Sequence, residues 1–566
     1  MASDNTSKRG AFTFVLHSHF PYCRRAGRWP HGEEWIHEGA TETYIPLLDA
    51  LYDLTEAGVS PQVTIGLTPI LVEQLADPIV LDHLRAYLRE KLAAVQSDLQ
   101  RFDPVEQPQE HALAGFYARW YQHISESFER RFRGDLIGAF RTLQDAGHIE
   151  IITSAATHGY LPLLSRDSSI AGQLATAVRS YERHFGRRPR AIWLPECAYR
   201  PAYYADGPRG RQRKPGIEEF LAAEGLKLFF CETHAIEGGQ PIGKALDGVI
   251  GPYGNIPKRY VVPISGYVEP THRTTYRPYY VAGAEVAVIG RNNRTGMQVW
   301  SADWGYPGDS DYREFHKKDG VSGMQYWRVT GPRLDLGAKE LYHPDWAEGK
   351  LMQHARHFVG LVEDLLAQYA QENAGDFGLI ASAYDTELFG HWWFEGIGWL
   401  REVLRGLAGS ATAALMTASD YVEAYPPRDV LALPESSWGS GGTHFTWDNA
   451  ETHWMWPPIH AAERRMEGLV ERYPQAAGDV AFALNQAARE LLLLQSSDWP
   501  FLVTTGQARA YAIERFQTHL ERFNALADVL EAGDLGSAGR ALAAGYYELD
   551  NPFPDVDYRD FAAREP

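Results

Sequence analysis

Two carboxylates stand where apolar runs stop. Glu196 follows the run "AIWL" by one proline, and Asp385 follows "GLIASA" by one tyrosine. If both runs are strands of one parallel barrel, both side chains face the same mouth, because the sites of such barrels lie at the C-terminal strand ends. A carboxylate pair there can do nucleophilic and general acid/base work. The competing reading is that each caps a following helix. That suits Asp385, which precedes Thr386 and Glu387, better than Glu196, since glutamate is a poor cap.

His17 and His19 close the first apolar run in "VLHSHFPY", and His158 closes another in "SAATHGYLP". Two histidines two apart on an extended chain point the same way. They could be half of a zinc site with His158 as a third ligand. They could instead donate hydrogen bonds to sugar hydroxyls, or be plain structural histidines. "HSHF" lacks the acidic neighbour that a metal motif would want.

The chain has 16 Trp and 30 Tyr. Trp35, Trp300, Trp304, Trp392, Trp438 and Trp447 fall in loops or strand ends on this reading. Any one tryptophan is more often core than ligand platform. In "SSWGSGGTHFTWDN" the core reading is weaker, because glycines 439, 441 and 442 expose backbone between Trp438 and Trp447. Such flat apolar platforms with a polar handle suit sugar rings. "GSGG" lacks the GK[ST] ending of a phosphate loop.

The elements that must hold these residues follow from periodicity. Short apolar runs at 11–16, 62–66, 149–154, 191–194, 226–230, 286–290, 378–383 and 413–416 alternate with helical patterns. Near-continuous apolar strands between helices predict a parallel sheet covered on both faces, and seven or eight such units predict a closed barrel. Residues 200–262 read as a small insertion that lends one strand to the sheet, and 291–345 as a long irregular stretch of the kind that carries function. After about Asn449, Val480, Leu484, Ala487, Leu491 and Leu494 follow helical spacing, as do Ala512, Phe516, Leu520, Phe523, Leu526 and Leu530. The expected division is barrel at 10–199 and 263–449, insertion at 200–262, and a helical C-terminal domain at 450–566.

Composition bounds the rest. With 566 residues, 45% hydrophobic and 22% charged, the chain is of a soluble globular class. Its net charge of −19 disfavours nucleic acid and anionic membranes as partners. No apolar run approaches membrane-spanning length, and "MASDNTSKRG" lacks the apolar core of a signal peptide, so a cytoplasmic protein is expected. Cys23, Cys197 and Cys231 suggest neither a disulfide framework nor zinc-knuckle spacing.

In order, "HSHFPY", "GHIEIITSAATHGYLPLL", "IWLPECAY", "SAYDTELFGHWWFEG" and "LPESSWGSGGTHFTWDN" resemble the five sequence regions of glycoside hydrolase family 57. More narrowly, with "EEWIHEGATETYIPLL" and "QVWSADWGYPGD", they resemble its 1,4-α-glucan branching enzymes. The resemblance spans about residues 11–530. It implies a (β/α)7 barrel with a small inserted domain and an α-helical C-terminal domain, acting on amylose, amylopectin or glycogen as monomer or homodimer without a cofactor. By motif position it makes Glu196 the nucleophile and Asp385 the acid/base. His17, His19, Trp35, His158, Trp300, Trp304, His391, Trp392, Trp438 and Trp447 become substrate-binding candidates. It also implies a catalytic loop with a tyrosine at its tip, for which Tyr253 in "GVIGPYGNIPKRY" is the candidate.

The implied reaction is a retaining transfer. Glu196 attacks an anomeric carbon, Asp385 protonates the departing oxygen and then deprotonates the acceptor, with the carboxylates about 5–5.5 Å apart. A 6-hydroxyl acceptor makes an α-1,6 branch, and water cuts the chain. An acid working at pH 7 needs a raised pKa, which ionised Glu196 and the apolar "LFGHWW" surroundings would supply to Asp385. The alternatives are an α-amylase or 4-α-glucanotransferase of the same family, a metal-dependent polysaccharide deacetylase built on His17, His19 and His158, and a carbohydrate-binding protein without catalysis.

Overall fold

The computed structural model describes residues 8–207, 210–239, 250–251, 254–255, 269–300, 305–331 and 334–564. Seven parallel strands form its centre: β1 (Gly10–Ser18), β2 (Val63–Leu67), β3 (Ile149–Ile152), β4 (Ala191–Ile192), β5 (Leu228–Cys231), β6 (Ala287–Gly290) and β7 (Gly378–Asp385). Ladders join β7 to β1, β1 to β2, β2 to β3, β4 to β5 and β5 to β6. Two seams close the ring. Between β3 and β4, Trp193 N donates to Thr153 O at 2.9 Å and Thr153 N to Ala191 O at 3.2 Å. Between β6 and β7, Asn292 N donates to Ala381 O at 3.0 Å.

The eighth run is a strand but not a stave. β8 (Ala413–Leu415) pairs with the first residues of β1, Gly10 to Phe12, while β2 pairs with Val15 to Ser18. β2 therefore covers only the upper half of that edge of β1, and β8 covers the lower half.

Side-chain parity explains how the barrel aims its site. On β1, Phe12, Phe14 and Leu16 face the helices; Phe14 lies 6.0 Å from the Phe358 ring and 5.8 Å from Trp399. Successive strand residues alternate, so Ala11, Thr13, Val15 and then His17 face inward. On β7, Ile380 and Tyr384 pack outward, so Leu379, Ala381, Ala383 and then Asp385 face inward. The two strands run in register with His17 opposite Asp385. Small inward residues below leave the mouth as the place where polar side chains emerge.

The C-terminal region is helical: α1 (Trp456–Arg472), α2 (Gly478–Leu494), α3 (Asp498–Thr505), α4 (Arg509–Ala532) and α5 (Gly536–Leu549). Of the expected stripe on α2, Leu484, Ala487, Leu491 and Leu494 are buried and Val480 is half-buried. On α4, Ala512, Phe516, Phe523, Leu526 and Leu530 are buried and Leu520 is half-buried. Each buried Leu or Phe is worth about 1.5–3 kcal/mol. The helices dock on the segment after β3: Ser497 N donates to His158 O at 3.1 Å, and Gln173 Nε2 to Gln495 Oε1 at 3.1 Å. No helix among the described residues is long and apolar enough to cross a membrane.

Candidate active site

Glu196 does not sit on a strand. β4 ends at Ile192, and the chain turns through Pro195–Cys197 with Glu196 at φ 60, ψ 25. A non-glycine residue there is held by its surroundings, and such strain gathers at functional sites. The surroundings are visible. The Trp438 indole N–H donates to Glu196 Oε2 at 2.6 Å, and Trp438 N to Glu196 O at 3.0 Å. Ser497 Oγ lies 3.4 Å from Oε1, and His158 Nδ1 3.8 Å from it.

The three histidines form a cage between the carboxylates. His17 Nε2 and His158 Nε2 are 3.1 Å apart. The His19 and His158 rings stack at 4.0 Å. His158, itself at φ 57, shares its Nδ1 with Ser497 Oγ at 2.8 Å. His19 shares Nδ1 with Thr68 Oγ1 at 3.1 Å and Nε2 with Asp498 at 3.0 Å. Trp193 is the floor, its ring 5.2 Å from His17 and 5.0 Å from Trp438. Beside Asp385, Glu387 accepts from His19 N at 3.1 Å and from the Tyr44 hydroxyl.

Charges follow from this packing. Burial raises Glu196 to about 7; the Trp438 bond opposes the rise, and the charges of Asp385 and Asp498 add to it. Burial also raises Glu387 to about 7, with a further push from Asp385. Burial pulls His19 down, but the charge and hydrogen bond of Asp498 outweigh it and leave it raised. His158 is lowered by burial and by the other two histidines.

His19, His158 and Asp498 bring ligand-type atoms within 4.8 Å of one another, a different trio from His17, His19 and His158. The His19 and His158 nitrogens already share protons with Asp498, Ser497, Thr68 and His17. The arrangement suits a hydrogen-bonding wall better than a metal centre.

The remaining candidates divide. Trp438 belongs to the cage. Trp35 is half-buried, packed edge-on to Tyr511 of α4 at 5.4 Å. Trp300 and Trp392 are half-buried against the outer core. Trp447 is a correction: at 1% exposure it is core, stacked on Tyr160 at 4.4 Å, and a Cβ on Gly439 would come within 2.5 Å of its ring. Gly439 is thus needed for packing, and Gly441 and Gly442 for φ of 68 and 69 in the turn behind Trp438. His391 is a second correction. Its Nδ1 meets Glu42 at 2.8 Å and its Nε2 faces Glu38 at 3.9 Å, in a buried cluster with Arg313, so it braces the loop after β7. Trp304 and Tyr253 lie outside the described residues. Trp193, Ser497 and Asp498 escaped sequence reasoning. The one signal for the last two was "QSSDWP", a helix start set between two apolar helices.

A seven-stranded barrel with a carboxylate pair and a histidine wall at its mouth has a family counterpart. The pattern of glycosyl hydrolase family 57 matches residues 13–434, and that of the 1,4-alpha-glucan branching enzyme C-terminal region matches residues 458–561. The chain belongs to glycosyl hydrolase family 57. It is 44% identical over 561 residues to a 1,4-alpha-glucan branching enzyme of Thermococcus kodakarensis, covering 99% of this chain and 79% of that protein. It is 30% identical to a probable 1,4-alpha-glucan branching enzyme of Mycobacterium tuberculosis, covering 97% and 98%. Among solved structures, the Thermococcus branching enzyme in complex with glucose superposes with TM-score 0.89 at 43% identity, covering 99% and 97%. The alpha-amylase AmyC of Thermotoga maritima gives 0.80 at 29%, covering 99% and 100%.

Proposed function

We propose that this protein is a retaining 1,4-α-glucan branching enzyme. The observation that carries the reading is the origin of Ser497 and Asp498. Both come from the segment matched by the branching-enzyme C-terminal pattern, and both touch the cage around Glu196. That region is part of the site rather than an appendage to it.

In this reading Glu196 attacks the anomeric carbon and forms a glycosyl-enzyme. The Trp438 indole N–H holds the carboxylate aimed from one side, and Asp385 is near enough for its charge to act on Glu196. With Glu196 ionised at the moment of attack, Asp385 carries the proton to the leaving oxygen and later removes one from the acceptor 6-hydroxyl. His17, His19 and His158 line the sugar bound between the carboxylates. Asp498 favours the charged form of His19, and burial favours the neutral form of His158. The enzyme needs no cofactor for these steps and works as a monomer or homodimer on α-glucan in the cytoplasm.

The test is to incubate the protein with amylose and count α-1,6 linkages against new reducing ends by proton NMR. Branching predicts α-1,6 signals that isoamylase removes as short chains. New reducing ends without α-1,6 linkages would make the protein a hydrolase, the reading that its likeness to the Thermotoga amylase favours.

A further inference from the structure

Between β4 and the helix Ile217–Ala223 the chain makes an antiparallel hairpin, Tyr203–Gly207 against Gly210–Lys214. Two adjacent tyrosines open it. They take no part in the cage around Glu196, yet Tyr203 is 42% and Tyr204 59% exposed. Successive strand residues face opposite sides, so the pair offers one ring on each face of the hairpin. Each ring has a guanidinium over it: Arg200 at 4.6 Å from the Tyr203 centroid and Arg211 at 5.1 Å from that of Tyr204.

An isolated two-stranded hairpin is marginal in water, but this one is tied down. Arg213 grips Glu219 with two bonds of 3.0 and 2.7 Å. Lys214 pairs with Asp167 at 3.2 Å, and Arg200 donates to Pro215 O at 3.1 Å. The rings are therefore presented on a fixed support rather than on a loose loop. Segments that follow a barrel strand lie at the mouth end. The approach to the hairpin is also continuous with the site wall: Tyr199 exchanges bonds of 2.8 and 3.1 Å with Ser436, two residues before the Trp438 that holds Glu196.

A ring with a cation on one face keeps the other face for an apolar partner, and the phenol and guanidinium edges supply hydrogen bonds. That combination fits the C–H face of a pyranose with its rim of hydroxyls. Branching joins two glucan chains, and in the branching reading the site around Glu196 takes one of them. We infer that the Tyr204 face of this hairpin is the platform for the second, acceptor, α-glucan chain, with Tyr204, the more exposed of the two rings, stacking on a pyranose. The inference rests on the branching reading and names where its second substrate sits.

The test uses full-length protein with Tyr204 changed to Ala, and in a second variant to Phe. Native gels containing amylopectin report glucan affinity, and amylose digests report α-1,6 linkages per new reducing end. The Ala variant is expected to weaken retardation by amylopectin about fivefold or more and to lower the linkage ratio by a similar factor. The Phe variant, which keeps the ring, should stay near wild type. An Ala variant with unchanged melting temperature, unchanged retardation and an unchanged linkage ratio overturns the inference. So does loss of heparin retardation with amylopectin binding intact, which would assign the basic hairpin to an anionic polymer. A wild-type protein that forms no α-1,6 linkages fails the branching reading itself, whereas a branching wild type with an unaffected Ala variant fails only the hairpin.

Discussion

The two strand ends that carry the carboxylates are built in opposite ways. β7 runs eight residues in register with β1, and Asp385 is simply the next inward position after Ala383. β4 is two residues long, and Glu196 lies beyond it in a left-handed turn fixed by Trp438 and Ser497, residues from 242 and 301 positions away. The barrel ladder places Asp385. Side chains from the segment after β8 and from the C-terminal helical region place Glu196. A rigid scaffold can set one carboxylate by register alone, but setting the distance and charge of a second needs partners brought from elsewhere.

The comparison can be broken first at the carboxylates themselves. Glu196→Gln is expected to abolish branching and hydrolysis by about 10³-fold or more while leaving the melting curve intact, since the amide is nearly isosteric but a far weaker nucleophile. Turnover near the parent level would end the assignment. Asp385→Ala should lose about 10²–10⁴-fold on glucans, and much less on an aryl α-glucoside whose leaving group needs little protonation. Azide should then rescue it and give an α-glycosyl azide of retained configuration; equal losses on all donors without that product would make Asp385 structural.

The imported partners come next. Trp438→Phe keeps an aromatic ring but removes the bond that lowers Glu196. The carboxyl must be ionised to attack, so kcat/KM falls as pH drops through about 7 in the parent. Without the bond, that acid limb moves up by about one unit, as expected for a hydrogen bond to a charged group. A limb that stays in place or moves down would show that the indole does not tune the nucleophile. The smallest effect is at the wall. Asp498→Asn removes the charge that holds His19 up against burial, so the His19 ring midpoint, followed by NMR, should fall. No movement would place the C-terminal helices outside the electrostatics of the site.

This asymmetry also decides what could be read from the residues. The run ending in Asp385 and the paired His17 and His19 were legible because strand parity is a local rule. Glu196 was legible as a carboxylate at a strand end, but its turn was not, since its cause lies in Trp438 and Ser497. Asp498 reaches the site from a segment 113 residues beyond Asp385, and no periodicity marks such a long-range contact. Trp447 and His391 show the converse. Burial and ion pairing are properties of the assembled fold, and a tryptophan in a glycine-rich stretch looks the same in sequence whether it meets substrate or, as here, Tyr160.

The central claim, that the side chain in the imported turn is the nucleophile, is open to one direct measurement. A fluorinated α-glucosyl fluoride, reacted with the Asp385→Ala protein and followed by proteolysis and mass spectrometry, traps the glycosyl-enzyme on the peptide that bears the attacking residue. The account predicts a single adduct on Glu196 in "AIWLPECAYR". An adduct on Glu387, the other raised carboxyl at the mouth, or no adduct together with inverted product, would contradict it.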